Sequence, residues 1–195
     1  MKIKMNLILG IFATALFFTM FSCAKPPTEE MNNAIAAVAR AENDKDVPTY
    51  APNSLSKARE ALTNMQTEAD AKRYDSAKNL AEEAVRLAEK AVSDSKLALS
   101  RAKDDAAVAV AALEDAVSET DQNIKDAKKS GQRGIDFVQV DQDLADAKVV
   151  VDEAVAANND SKYKEAIGKS QQARSQLGNI TSRLTQTVIQ TNRKK

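Results

Sequence analysis

Residues 74–102 read YDSAKNLAEEAVRLAEKAVSDSKLALSRA, and neither glycine nor proline occurs between Tyr74 and Ser130. Small residues recur here at alternating spacings of four and three, which is the repeat of a coiled-coil seam. This alanine seam consists of Ala77, Ala81, Ala84, Ala88, Ala91, Ser95, Ala98 and Ala102. It continues as Ala106, Val110, Leu113, Val117, Thr120, Ile124 and Ala127. The pattern predicts one helix, about 84 Å long at ~1.5 Å per residue, which Gly131 and Gly134 end.

The composition favours helices throughout the chain. Hydrophobic residues make up 43% of the 195 residues, but aromatic residues only 4%, and tryptophan is absent. Five glycines and four prolines allow few tight turns. An alanine-rich chain with many Glu, Lys and Gln residues is typical of helical and coiled-coil proteins. We therefore predict an all-α fold without strands.

The segment before the long helix predicts two shorter helices. Thr28 is expected to cap a helix from Glu29 to about Glu42. The polar segment 43–50 is expected to end this helix. Pro52 suits the first position of the next helix. The expected apolar faces are Met31, Ile35, Val38 and Ala39 in the first helix, and Leu55, Ala58, Leu62, Met65 and Ala69 in the second.

The segment after the long helix predicts two more. A helix is expected over about residues 138–157, followed by a polar turn at 158–161 and a last helix from Tyr163. The expected inward residues are Leu144, Ala147, Val151 and Ala154, then Ala166, Ile167, Ala173, Leu177, Ile180, Leu184 and Ile189. The predicted architecture is an elongated antiparallel helical bundle, in which two three-helix units, residues 28–104 and 105–195, share the long helix.

An internal repeat supports this division. Shifting the chain by 89 positions aligns Leu55 with Leu144 and Tyr74 with Tyr163, without gaps. The other matched pairs are Ala58 with Ala147, Ala77 with Ala166, Ala84 with Ala173 and Ile35 with Ile124. Chance similarity between two alanine-rich helices is the alternative, but it does not account for the matching tyrosines. We interpret the pattern as a duplicated helical unit.

Residues 1–22 have the features of a secretory signal peptide. Lys2 and Lys4 precede an apolar run over residues 7–21, and the only cysteine, Cys23, follows Ser22. MFSC at 20–23 resembles the lipobox of bacterial lipoproteins, which implies that Cys23 carries a lipid and that residues 23–27 form a lipidated stalk. The alternative is an uncleaved anchor helix. Ala24, in place of aspartate, resembles lipoproteins that are sorted to the outer membrane.

Several further segments carry a family resemblance. They are CAKPPTEE at 23–30, YAP at 50–52, KAREAL at 57–62, YDSA at 74–77 and LAEEA at 80–84. Over residues 23–102 the chain resembles bacterial envelope lipoproteins that carry domain of unknown function 4398. The resemblance implies helical hairpins facing the envelope and brings no catalytic residues. A weaker resemblance to tetratricopeptide hairpins rests on the Tyr-x-x-Ala phrase alone.

The residue inventory excludes several functions. The chain has no histidine, and lipidation of Cys23 would leave no thiol, which excludes common zinc sites and histidine-based catalysis. Basic and acidic residues number 28 each, and removal of Lys2 and Lys4 with the leader leaves a net charge of −2. Such a surface does not attract nucleic acid. We expect no enzymatic activity, no cofactor and no metal.

Three features are candidates for interaction. Tyr74 and Tyr163 could form a ligand surface, although a tyrosine at a hairpin turn more often packs over the helix ends. The alanine seam could receive a partner helix, although burial in the chain's own bundle is the commoner arrangement. Lys195 resembles the C-terminal lysine that joins the murein lipoprotein to peptidoglycan, and a frayed basic tail is the alternative.

Together these features predict a non-enzymatic lipoprotein of the cell envelope. We expect a structural scaffold or protein-interaction module, held at the outer membrane by the lipid on Cys23 and facing the periplasm or the cell surface. Its expected partners are an envelope protein or peptidoglycan. The alternative is a periplasmic binding module that holds a lipid-like or small ligand between its helices.

Overall fold

The structure is a computed structural model that describes the backbone of residues 25–192 and the side chains of residues 25–185. This part of the chain contains helices and no strand, which confirms the all-α fold. The helices are α1 (Thr28–Asn43), α2 (Val47–Tyr50), α3 (Pro52–Asp70), α4 (Tyr74–Lys129), α5 (Phe137–Asn159) and α6 (Tyr163–Asn192). The long helix α4 has the bounds that the sequence predicts.

The described residues divide into two units between Asp94 and Ser95. Unit 1 contains α1, α2, α3 and α4 as far as Asp94, and unit 2 contains the rest of α4 with α5 and α6. The sequence placed the corresponding boundary after Asp104. Each unit has its own hydrophobic core.

The core of unit 1 forms around the alanine seam of α4. Four alanines of the seam pack with Leu55 and Met65 of α3 and with residues of α1; they are Ala81, Ala84, Ala88 and Ala91. These six named residues are at most 2% exposed. Along the seam and its continuation the predicted positions are buried, except Ala98, Val110 and Val117, which are partly exposed. A methyl group contributes only about 0.8 kcal/mol on burial, so the stability of this unit is distributed over many small contacts.

Helix α1 differs from the prediction in two respects. Its N-cap is Pro27, and no side chain caps the helix, so the assignment of Thr28 as the cap is wrong. Its inward face is turned by about one residue, and Ile35 is 45% exposed. The buried residues are Ala34, Ala37, Val38 and Ala41. Small side chains allow α1 to approach the alanine seam closely, which the bulkier Ile35 would prevent.

The segment 43–50 is more ordered than a simple break. Asp44 Oδ1 accepts a hydrogen bond from the backbone N–H of Asp46 at 2.8 Å, and the one-turn helix α2 follows. Val47 of this helix is fully buried. Pro52 is the first residue of α3, as predicted. The segment therefore contributes to the core of unit 1 and does not merely connect two helices.

In unit 2, Gly131 ends α4 with a φ of 66°. The N–H of Gln132 bonds back to the carbonyl of Ala127 at 3.2 Å, and this pattern closes the C-terminus of a helix. Asp136 then caps α5 by accepting bonds from the N–H groups of Val138 and Gln139. The unit's large buried residues include Leu113, Ile124, Val140, Leu144, Leu177, Ile180 and Leu184. Val150 is buried where the sequence favoured Val151, which is only half-buried.

Candidate interaction surfaces

Two of the predicted features lie outside the described residues. Cys23, with the leader at 1–22, precedes residue 25, and Lys195 follows Asn192. Lipidation and attachment to the cell wall are therefore predictions that rest on the sequence.

Tyr74 opens α4 and Tyr163 opens α6, and each follows directly after a turn of nearly identical geometry. In unit 1 the turn residue Lys72 has a φ of 58°, and in unit 2 Ser161 has a φ of 61°. Each turn ends the preceding helix with the same pair of backbone hydrogen bonds, 2.9 Å and 2.9 Å in unit 1 and 3.0 Å and 2.9 Å in unit 2. The pairs are Lys72 to Ala69 with Arg73 to Glu68, and Ser161 to Asn158 with Lys162 to Ala157.

Both tyrosines are half-buried. Tyr163 packs against the small cluster formed by Ala106, Ala157 and Ala166. The two residues belong to different units, and neither lines any of the four grooves described below. The packing of Tyr163 is that of a residue covering a hairpin end. An interaction surface at Tyr74 or Tyr163 stays a prediction.

The alanine seam is buried within the chain. Ala81, Ala84 and Ala88 contact the other helices of unit 1 and are at most 1% exposed. The hypothesis that this part of the seam receives a partner helix is therefore wrong, and its burial in the chain's own bundle is confirmed.

A polar contact joins the two long helices of the hairpin in unit 1. Ser54 Oγ of α3 donates a hydrogen bond of 2.6 Å to Asp94 Oδ2 of α4. Lys90 Nζ lies 2.9 Å from the other carboxylate oxygen. The hydrogen bond from Lys90, followed by that from Ser54, lowers the pKa of Asp94 below its usual value. The charged carboxylate thus links α3 to α4 beside their apolar contact.

Unit 2 has a polar contact at the same two positions of the repeat. Asp143 of α5 corresponds to Ser54, and Arg183 of α6 corresponds to Asp94; their side chains form an ion pair. Gln139 also donates to Asp143 at 2.8 Å. The pKa of Asp143 is lowered first by the bond from Gln139 and then by Arg183. The two units therefore use different residues for the same inter-helix contact.

Unit 1 has an open groove of about 470 Å³ between α3 and α4. Its lining residues are Asn64, Thr67, Glu68, Ser76, Asn79 and Leu80. Arg73 donates two hydrogen bonds to the carboxylate of Glu68. These bonds are the main cause of the lowered pKa of that carboxyl group. At the corresponding place in unit 2, Lys169 and Glu153 form an ion pair of 2.5 Å across the hairpin. The equivalent positions in unit 1 are Leu80 and Asn64, which line the groove and carry no charge.

A second groove of unit 1, about 370 Å³, lies between α1 and α4. Its floor is apolar and consists of Ala37, Ala88 and Val92, while Arg40 and Glu89 lie at its charged rim. Unit 2 has two polar grooves, of about 280 Å³ and 430 Å³. The first is lined by Asp143, Asp146, Gln176, Asn179, Ile180 and Arg183, and the second includes Asn123, Asp126, Gln132, Thr181 and Thr185.

Within the described residues, no three Asp, Glu, Cys or His side chains are grouped closely enough to hold a metal ion. The carboxyl groups with displaced pKa values are all shifted downward by hydrogen bonds, which keeps them charged at neutral pH. None of the helices in this part of the chain combines the length and the apolar character needed to cross a bilayer.

Comparison with protein families gives one match. Residues 29–107 match the family described as Domain of unknown function (DUF4398). This match confirms the predicted family resemblance for these residues, which comprise almost all of the described part of unit 1 and the first residues of unit 2. The description of the family names no activity. The chain matches no curated protein and no solved structure.

Proposed function

We propose that the chain is a non-enzymatic lipoprotein of the bacterial cell envelope that holds or bridges other envelope components. In this proposal a lipid on Cys23 attaches the chain to the outer membrane, and residues 23–27 form a short stalk. The helical units then present their surfaces to an envelope protein or to peptidoglycan. The observation that carries the proposal is the position of Cys23, directly after the apolar run at 7–21.

The described residues support this role in two ways. The core of unit 1 consists largely of alanine, whose small side chains bury little volume and leave the polar faces of the helices exposed. Two of their grooves, the one between α3 and α4 and the smaller one of unit 2, are open and lined mainly by polar residues, a chemistry that favours surface contacts over enclosed catalysis. A protein that bridges partners needs extended, solvent-exposed surfaces more than a closed active site.

Crosslinking in living cells tests the scaffold role. The full chain is crosslinked and purified under denaturing conditions, and its adducts are identified by mass spectrometry and by digestion with a muramidase. We expect an envelope protein or a wall fragment on the parental chain and a loss of that adduct for Cys23→Ser. Ser22→Ala, which retains the thiol, is the matched control. Adducts with cytoplasmic proteins alone would contradict the proposal.

A lipid-like or small ligand held between helices is the second candidate function. The groove between α1 and α4 favours it, because Ala37, Ala88 and Val92 give it an apolar floor. Native mass spectrometry of the full Cys23→Ser chain would then detect a co-purified lipid, and Val92→Gln would reduce its occupancy. A melting temperature that is indifferent to added fatty acid would count against this function.

A further inference from the structure

The outer side of α4 in unit 2 carries two large apolar side chains that the rest of the described chain, residues 25–185, leaves exposed. Leu97 is 54% exposed and Val108 is 71% exposed. They lie eleven residues apart, or about three helical turns, so they point in nearly the same direction. The buried residues Ala106 and Leu113 lie on the opposite side of the helix. Leu97 and Val108 thus belong to a face that is turned away from the unit's own core.

Arg101 and Asp104 lie between these two residues on the same face. Both are exposed, and among the described residues neither forms an ion pair. The four residues follow one another at spacings of four, three and four, which is the repeat of a coiled-coil seam. We call Leu97, Arg101, Asp104 and Val108 the outer seam. It is separate from the alanine seam, which faces inward.

We infer that the outer seam is a contact for a second copy of this chain, paired antiparallel about a two-fold axis between residues 102 and 103. Leu97 and Val108 are equally distant from that midpoint, and so are Arg101 and Asp104. In such a pair each leucine lies level with the valine of the other copy. Each arginine likewise lies level with the aspartate of the other copy.

The charges distinguish this arrangement from the alternatives. A parallel pair in register would place Arg101 beside its own equivalent and Asp104 beside its own, and like charges at such positions are destabilising. An isologous contact requires a surface that is complementary to itself under a two-fold rotation. The outer seam meets that requirement in both its apolar and its charged pair. A different protein would have no reason to match this internal symmetry.

The size of the contact sets its strength. A contact of three helical turns buries less surface than the interface of a stable dimer, which buries about 1,200–2,000 Å² in total. We therefore expect a weak dimer, which forms where the local concentration of the chain is high. Attachment to a membrane would provide that concentration, although the symmetry of the seam does not depend on it.

Cysteine crosslinking of the full chain in cells tests the orientation directly. Leu97→Cys and Val108→Cys are expressed separately, together as two chains, and combined in one chain, and are then treated with a permeant oxidant. The parental chain, with Cys23 alone, is the control. We expect a disulfide dimer in the mixture and in the double variant. Each single variant should stay monomeric, because the introduced cysteines of the two copies would lie about 16 Å apart, beyond the ~7 Å Cα limit of a disulfide.

Charge exchange provides the second measurement. Arg101→Asp or Asp104→Arg alone should weaken dimerisation at least about tenfold, because two attractive pairs become repulsive. The combined Arg101→Asp and Asp104→Arg variant restores charge complementarity. When it is introduced into both cysteine chains, their mixture should yield as much disulfide dimer as it does with the original charges. Dimers in the single cysteine variants would show a parallel pair and overturn the inference. So would a mixture without a dimer, or a combined charge variant that fails to recover.

Discussion

Lys72 and Ser161 lie 89 positions apart in the sequence and have the same left-handed backbone, with φ values of 58° and 61°. Neither residue is a glycine, although this conformation favours glycine. Each ends a helix, and each is followed two residues later by a tyrosine that opens the next helix. This repeated exception to the glycine preference supports the interpretation that the two units arose by duplication.

Glycine at these two turns should stabilise the protein. A side chain in the left-handed region costs roughly 1–2 kcal/mol. Glycine removes this cost, but part of the gain is offset because glycine loses more chain entropy on folding. We expect Lys72→Gly and Ser161→Gly each to raise the free energy of unfolding by about 0.5–1 kcal/mol, as measured by urea denaturation. Lys96→Gly, in the exposed interior of α4, is the control and should lower it by about 1 kcal/mol.

Two glycines should respond in opposite directions to alanine. Gly131 has a φ of 66°, so Gly131→Ala should destabilise unit 2 by about 1 kcal/mol. Gly168 lies within α6, and a Cβ atom there would meet nothing within 4 Å. Gly168→Ala should therefore stabilise the protein by about 0.5–1 kcal/mol. Equal effects of the two substitutions on the urea midpoint would show that the backbone of Gly131 is not constrained.

A buried hydroxyl distinguishes the two units at one core position. Ser170 is 1% exposed and its Oγ has no hydrogen-bond partner among the described residues, while the corresponding Ala81 is fully buried. A buried polar group without a partner costs about 1–3 kcal/mol. Ser170→Ala should therefore stabilise unit 2, and Ala81→Ser should destabilise unit 1 by a similar amount. A loss of stability in Ser170→Ala, measured by thermal denaturation, would indicate that the hydroxyl is satisfied in solution.

Acid should weaken the contact between α3 and α4. The pKa of Asp94 is lowered in the folded state, mainly by the hydrogen bond from Lys90. A lowered pKa gives stability that is present above the unfolded value, about 3.9 for aspartate, and is lost as the pH falls through the folded value. Urea midpoints at about pH 7 and pH 3 measure this loss. Asp94→Asn should reduce the difference, and Ser54→Ala should reduce it less.

The sequence was sufficient to predict the helices because their signals are local. Three such signals are the lack of glycine and proline from Tyr74 to Ser130, the seam spacing and Pro52. Each determines the backbone only within a few helical turns, and α4 has the predicted bounds. The inward face of α1 was not predictable in the same way. Ile35 is the more hydrophobic choice, but the methyl-sized seam of α4 accepts Ala34 and Ala37, and that preference depends on the neighbouring helix.

The surfaces were predicted less completely than the fold. Tyr74 and Tyr163 were found through the repeat, but the structure places them in separate units. The contact between Ser54 and Asp94 joins residues 40 positions apart and leaves no periodic signal. The spacing of Leu97 and Val108 is visible in the sequence, but only the structure shows that the described residues leave both side chains exposed.

The chemical state of Cys23 decides whether the chain is a lipid-anchored protein of the envelope. The full chain is extracted from bacterial membranes and digested, and the mass of its N-terminal peptide is measured. We expect this peptide to begin at Cys23 and to carry a thioether-linked diacylglycerol. A peptide that begins at Met1, or one that begins at Cys23 with a free thiol, would contradict this expectation.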